Sequence, residues 1–164
     1  MATGVRTPEQ LLAYRPLTEL FGDKSRSVHA AAPRDSIHSA LQRMAQHGIG
    51  FLVVLDGKRL AGVVSERDYA RKVALRDLSS RDTLVRDIMT TDVVTVTPKH
   101  TVPQCIALMS ARGIRHLPIV DGGQVVGVLS ARDLLKAVVE HHERCIRELE
   151  LDRMTMLNPN VSSY

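Results

Sequence analysis

The stretch FLVVLDGKRLAGVVSERD, from Phe51 to Asp68, returns as HLPIVDGGQVVGVLSARD, from His116 to Asp133. In both copies an apolar run meets Asp-Gly and is followed by a second apolar run. Asp-Gly supplies the positive φ that a tight turn between antiparallel strands requires, so each copy reads as a β-hairpin. Each hairpin ends on a serine, Ser65 or Ser130, two residues before an Arg-Asp pair. A serine at that place caps a helix by accepting hydrogen bonds from its free N–H groups. The helices so opened run through Tyr69 to Leu75 and through Leu134 to Val139.

The repeat extends upstream. At a constant offset of 65 residues, Pro98 falls on Pro33, Met109 on Met44, Gly113 on Gly48, Asp121 on Asp56 and Asp133 on Asp68, with no gap. Gly48 and Gly113 are placed as helix C-caps. The helices they end carry apolar residues at helical spacing: Ile37, Leu41, Met44 and Ala45 in one copy, and Val102, Ile106, Met109 and Ser110 in the other. Before them, SVHAAAP and DVVTVTP are short strands stopped by Pro33 and Pro98. Each copy is therefore β-α-β-β-α, and one such unit has too little core to stand alone. The expected fold is mixed α/β, of the α+β kind, with two pseudo-symmetric units packed sheet to sheet.

Four segments follow: an N-terminal extension over 1–27, unit 1 over 28–84, unit 2 over 85–140, and a C-terminal helix with a tail over 141–164. Thr7-Pro8-Glu9-Gln10 resembles a capping box opening a short helix. The connection RDLSSRDTLVRDIMTT is polar and ends in an amphipathic turn at Val85, Ile88 and Met89. Residues 140 to 157 continue as a charged amphipathic helix with an apolar seam near Ile146, Leu149 and Met154.

Composition narrows the function. Hydrophobic residues make up 44% of the 164 and aromatics 3%, with no tryptophan, so the core is aliphatic. Cys105 and Cys145 stand in helical patterns without metal-ligand spacing and read as free thiols in a reducing cytoplasm. No long apolar run follows the N-terminal charges, which argues against a membrane span or a secretory leader. The net charge of +4 admits nucleic acid or a small anion as ligand. The basic residues are scattered and stacking aromatics are few, so nucleic acid is disfavoured. Seven histidines, at 29, 38, 47, 100, 116, 141 and 142, form no hydrolase, zinc-protease or nucleotide-triphosphatase motif, and no enzyme is expected. His141 to Glu143 reads as a solvated helix face.

The chemistry sits in G-V-V-S-E-R-D, Gly62 to Asp68, and G-V-L-S-A-R-D, Gly127 to Asp133. A hydroxyl, a guanidinium and a carboxylate at a helix start suit phosphate and ribose hydroxyls. On one copy alone the serine reads equally as a cap and the aspartate as a first-turn acid; duplication favours a site. Together with GIGFLVVLD and GIRHLPIVD, these endings resemble the CBS-domain family, whose members occur as tandem pairs called Bateman modules. The resemblance covers roughly residues 28 to 140. It implies two clefts for adenosine-bearing ligands, in which Asp68 and Asp133 hold ribose hydroxyls and Ser65, Ser130, Arg67 and Arg132 line the ribose and phosphate side. The opposite unit is expected to complete each cleft: His29, Ala30, Ile49 and Gly50 beside Asp133, and Val94, Thr95, Ile114 and Arg115 beside Asp68.

The halves differ where Gly50-Phe51 faces Arg115-His116 in the alignment. Attributing the extra cation to the Asp133 side predicts tighter phosphate binding there, with Arg71 and Lys72 as compensating cations in the first half. The arginines favour AMP, ADP, ATP or NAD over S-adenosylmethionine. The resemblance and the seam of the last helix both point to a homodimer that alters an unidentified protein partner according to its ligand state.

Overall fold

Two glycines set the frame. Gly48 and Gly113 adopt φ of +62° and +61°, a left-handed conformation that side-chain-bearing residues avoid. They end α1 (Ile37–His47) and α4 (Val102–Arg112) and turn the chain into the hairpins. The structure, a computed structural model, describes residues 16–18 and 28–157. Its remaining elements are β1 (Ala30–Ala31), β2 (Phe51–Asp56), β3 (Arg59–Ser65), α2 (Glu66–Lys72), a 3-10 turn (Ala74–Arg76), α3 (Val85–Ile88), β4 (His116–Asp121), β5 (Gln124–Ser130) and α5 (Ala131–Leu157). The expected capping box at Thr7 to Gln10 lies outside the described residues.

Both hairpins are antiparallel and carry the same irregularity. Val54 pairs with Gly62 and Leu55 with Leu60, so Ala61 is the extra residue; Ile119 pairs with Gly127 and Val120 with Val125, which leaves Val126 extra. Such bulges increase twist, and here they match across the duplication. Strand β1 lies parallel to β2. Its counterpart in the second unit shrinks to one parallel bridge, Val96 to Ile119, where a strand over residues 92–98 was expected. The two sheets meet with β3 against β5.

Helix burial departs from the predicted faces by one position. In α1 the buried residues are Ile37, Ala40 and Met44, while Ala45 is exposed; in α4 they are Val102, Cys105 and Met109, while Ser110 is exposed and Ile106 is 43% exposed. Alanine and cysteine are small and weakly apolar, so a hydrophobicity pattern barely registers them, yet only small side chains fit where a helix lies close on its sheet. Cys105 is fully buried, and burial pushes its thiol up to about 11. A thiol held protonated is unreactive, so Cys105 is expected to resist a thiol reagent at pH 8 in the native protein and to react in denaturant. Rapid native labelling at Cys105 would contradict this burial.

The connecting segments are exchanged between the units. Val85 and Ile88 of α3 sit in the first core with Ile37, Met44 and Leu52, while Leu17 sits in the second core with Val102, Leu117 and Leu129. The backbone contacts repeat, with acceptors at equivalent positions of the two units. Val85 N–H donates to Asp35 C=O (2.9 Å) and Arg86 N–H to Pro33 C=O (3.0 Å); Leu17 N–H donates to His100 C=O (2.9 Å) and Thr18 N–H to Pro98 C=O (3.1 Å). The segment before unit 2 thus completes unit 1, and the segment before unit 1 completes unit 2. Between α3 and β3, Val63 and Thr90 exchange N–H···O=C bonds of 2.9 Å in both directions. At Gly62 an added Cβ would lie 2.8 Å from Thr90 C=O, so glycine is needed there for the close approach.

Helix α5 runs unbroken through residue 140. Its inner face buries Leu134, Ala137, His141 and Cys145. His141 is only 3% exposed, which corrects the reading of a solvated face. Its Nδ1 lies 2.9 Å from Arg144 Nη2 and its Nε2 lies 3.6 Å from Cys145 Sγ.

Candidate functional site

Each G-h-h-S-x-R-D ending, where h is apolar, folds into the same local device. Ser65 caps α2. Asp68 Oδ2 accepts from Ser65 N–H (3.0 Å) and Ser65 Oγ–H (2.6 Å), while Asp68 N–H donates back to Ser65 Oγ (3.3 Å). Ser130 and Asp133 repeat it at 2.8, 2.6 and 3.2 Å. A reciprocal capping box of this kind holds the carboxylate in one place. The carboxylate retains further lone pairs for a ligand hydroxyl, since two oxygens offer about four acceptor sites. The halves differ at the other oxygen: Lys72 Nζ lies 2.8 Å from Asp68 Oδ1 and also donates to Ile88 C=O at 2.6 Å. The equivalent of Lys72 in unit 2 is Ala137, buried in the second core.

A cavity of about 660 Å³ lies between the units. From unit 1 its wall includes Ser65, Glu66, Arg67 and Asp68, and from unit 2 Val94, Ile114, Arg115 and His116; Ile49, Gly50, Ser130 and Arg132 complete the predicted residues present. His29, Ala30, Thr95 and Asp133 do not line it. Ala30 is bound into β1 opposite Val53, and the His29 ring stacks on His47 at 3.9 Å between centroids. Arg115 shares one cavity wall with Arg67 and Asp68 of unit 1 and with Ser130 and Arg132 of its own unit.

Sequence reasoning passed over Glu66 and Asp92, which line the wall. Phe51 and His116 are equivalent positions, and their rings stack on each other at 4.5 Å with a 12° interplanar angle. Two residues related by the duplication can touch only where the pseudo-two-fold axis passes, so the 65-residue offset itself pointed to that contact. The His116 imidazole is held below its ordinary range, first by burial and then by the Arg115 guanidinium, with Asp133 pulling the other way. The unfolded chain therefore binds a proton at His116 that the folded chain resists. Stability from this residue is complete above the unfolded pKa of about 6.5 and falls as pH drops from there toward the lowered folded value. Urea denaturation at pH 5.5 and pH 8 is expected to show a smaller pH difference in His116→Asn than in wild type. An unchanged difference would remove His116 as its source.

Among the described residues no group of three or more His, Cys, Asp or Glu side chains is placed to hold a metal, and no helix is long and apolar enough to cross a membrane. A duplicated α+β pair with a cavity between its halves, walled by Ser65, Arg67 and Asp68 from one and by Ser130 and Arg132 from the other, defines a tandem two-domain module. The chain belongs to the CBS-domain family, which matches at residues 22–75 and 85–140.

It is similar to the CBS domain-containing protein CBSX3, mitochondrial, of Arabidopsis thaliana, with 38% identity over 120 residues. That match takes in 70% of this chain and 58% of the relative, so the chain spans less than two thirds of the plant protein's length. A solved CBS-domain protein from Burkholderia ambifaria MC40-6 superimposes with a TM-score of 0.71 at 42% identity, over 76% of this chain and 91% of that one. The CBS domain pair of protein MJ0100, solved with 5′-methylthioadenosine and S-adenosyl-L-methionine, shares the fold with a TM-score of 0.68 at 23% identity, over 78% of this chain and 98% of that one.

Proposed function

We propose that this protein is a non-enzymatic regulatory module that binds an adenine nucleotide in the cavity between its CBS domains and signals by the resulting change of conformation. The observation that carries this reading is the meeting of Asp68, Arg67 and Arg115, drawn from both units, on one cavity of about 660 Å³. That volume falls within the range of small-ligand sites, about 300–1,000 Å³. Asp68, fixed by Ser65 and Lys72, is suited to accept hydrogen bonds from ribose hydroxyls. Arg67 and Arg115 are suited to pair with phosphate oxygens. The ligand class is AMP, ADP, ATP or NAD, with its phosphate beside Arg67 and Arg115. Because the cavity walls come from both units, a ligand that bridges them binds one relative placement better than another, which is the condition for shifting a population.

The regulated partner is a separate protein, and the module acts as a homodimer in a reducing compartment such as the cytoplasm. An exposed stripe on α5 favours the dimer: Leu135, Val139, Ile146 and Leu149 are all about half or more exposed, at spacings of four, seven and three. Isothermal titration of AMP, ADP, ATP, NAD and S-adenosylmethionine into the whole chain tests the reading. Saturable binding of a phosphate-bearing nucleotide supports it. Absence of binding by all five in folded protein would replace it with a ligand-free docking module.

A further inference from the structure

The two halves of the module carry opposite charge at one matched place. Position 50 of unit 1 corresponds to position 115 of unit 2, and position 66 to position 131; the pairs are Gly50 with Glu66 and Arg115 with Ala131. Each pair is joined in the same way, Glu66 N–H donating to Gly50 C=O (3.1 Å) and Ala131 N–H to Arg115 C=O (2.9 Å). What fills the space beside that joint differs. A Cβ built on Gly50 would lie 2.6 Å from Glu66 Oε2. The Glu66 carboxylate therefore occupies the place from which, in the other half, the Arg115 side chain departs. Ala131 has only a methyl group and leaves that room to the arginine. All four residues line the cavity.

We infer that Glu66 determines specificity by making the two halves of the cavity prefer ligands of different charge. Arg115 is joined through its backbone to Ala131 of its own unit and lines the same wall as Arg67 and Asp68 of unit 1. The Glu66 carboxylate, over Gly50, holds the matched place in unit 1. Arg67 and Arg132 are equivalent and both line the cavity, while Asp68 and Asp92 line it without a matching acid from the other half. One half therefore holds a cation where the other holds an anion, and a phosphate placed beside Glu66 meets like charge. The half with Arg115 takes the phosphate-bearing nucleotide. The half with Glu66 takes an adenosine compound without phosphate, neutral or cationic at its 5′ end. The module then reads the ratio of two ligand classes rather than the level of one.

This inference rests on the nucleotide reading above, and titration separates the two. The probes are ADP and 5′-methylthioadenosine, added to the whole chain and to Glu66→Gln, with folding checked by circular dichroism. Wild type is expected to bind one ADP tightly, with any second ADP at least about tenfold weaker. In Glu66→Gln the second ADP tightens by at least about tenfold, while 5′-methylthioadenosine changes less than about twofold. A double variant, Gly50→Arg with Glu66→Ala, rebuilds in unit 1 the pair found in unit 2 and is expected to bind two ADP with similar affinity. Two equal ADP sites in wild type, or an unchanged second site in folded Glu66→Gln and in the double variant, would overturn the inference. Failure of wild type to bind either probe would overturn the nucleotide reading itself, and this inference with it.

Discussion

Asp68→Ala is expected to weaken adenine-nucleotide binding about a hundredfold, read by isothermal titration. A carboxylate that accepts two ribose hydroxyls contributes charge-assisted bonds of about 1.5–3 kcal/mol, so a loss near 2.7 kcal/mol is in range. The same substitution removes a capping box, because Asp68 Oδ2 holds Ser65 N–H and Oγ–H. That costs about 1 kcal/mol of stability, which leaves a protein of ordinary marginal stability folded. Asp133→Ala is the matched control, since Ser130 and Asp133 form an equal box and Asp133 does not line the cavity. Both variants should lose similar stability, and only Asp68→Ala should lose most of the phosphate-nucleotide affinity. Equal losses of affinity would mean that the cavity does not set the site.

The largest effect on stability is expected at a residue far from either hairpin. Leu17 is 2% exposed and packs with Val102, Leu117 and Leu129 in the core of unit 2. Leu17→Ala removes buried methyl groups and leaves a void, a change that costs about 2–5 kcal/mol. For a chain of this size that lowers the melting temperature by about 10 °C. Ile106→Ala, on the exposed side of α4, should stay within about 0.5 kcal/mol of wild type. A Leu17→Ala protein as stable as Ile106→Ala would refute the exchange of segments between the units.

Much of the architecture was legible because the duplication stated it twice. Asp56-Gly57 and Asp121-Gly122, Gly48 and Gly113, and Ser65 and Ser130 act through their own backbone conformation and nearest neighbours. Local chemistry of that kind can be read from the order of residues alone. Each of those hairpins, helix ends and caps stands where the spacing placed it. The buried faces of α1 and α4 were less legible, because Ala40 and Cys105 are chosen for small size against a sheet and contribute little to an apolar pattern. The burial of His141 was hidden for a different reason, since a polar residue enters a core only where a partner such as Arg144 meets it.

By itself, the sequence determined the two β-α-β-β-α units, their turns and caps, and the serine-arginine-aspartate corners that hold the candidate chemistry. Only the tertiary structure decided that Phe51 stacks on His116, that Glu66 fills the space over Gly50, and that Leu17 and Val85 complete cores across the module. Those facts depend on how two copies are rotated onto each other. A repeat offset says that the copies are alike, but the rotation comes from the packing of whole surfaces, which no local run of residues records.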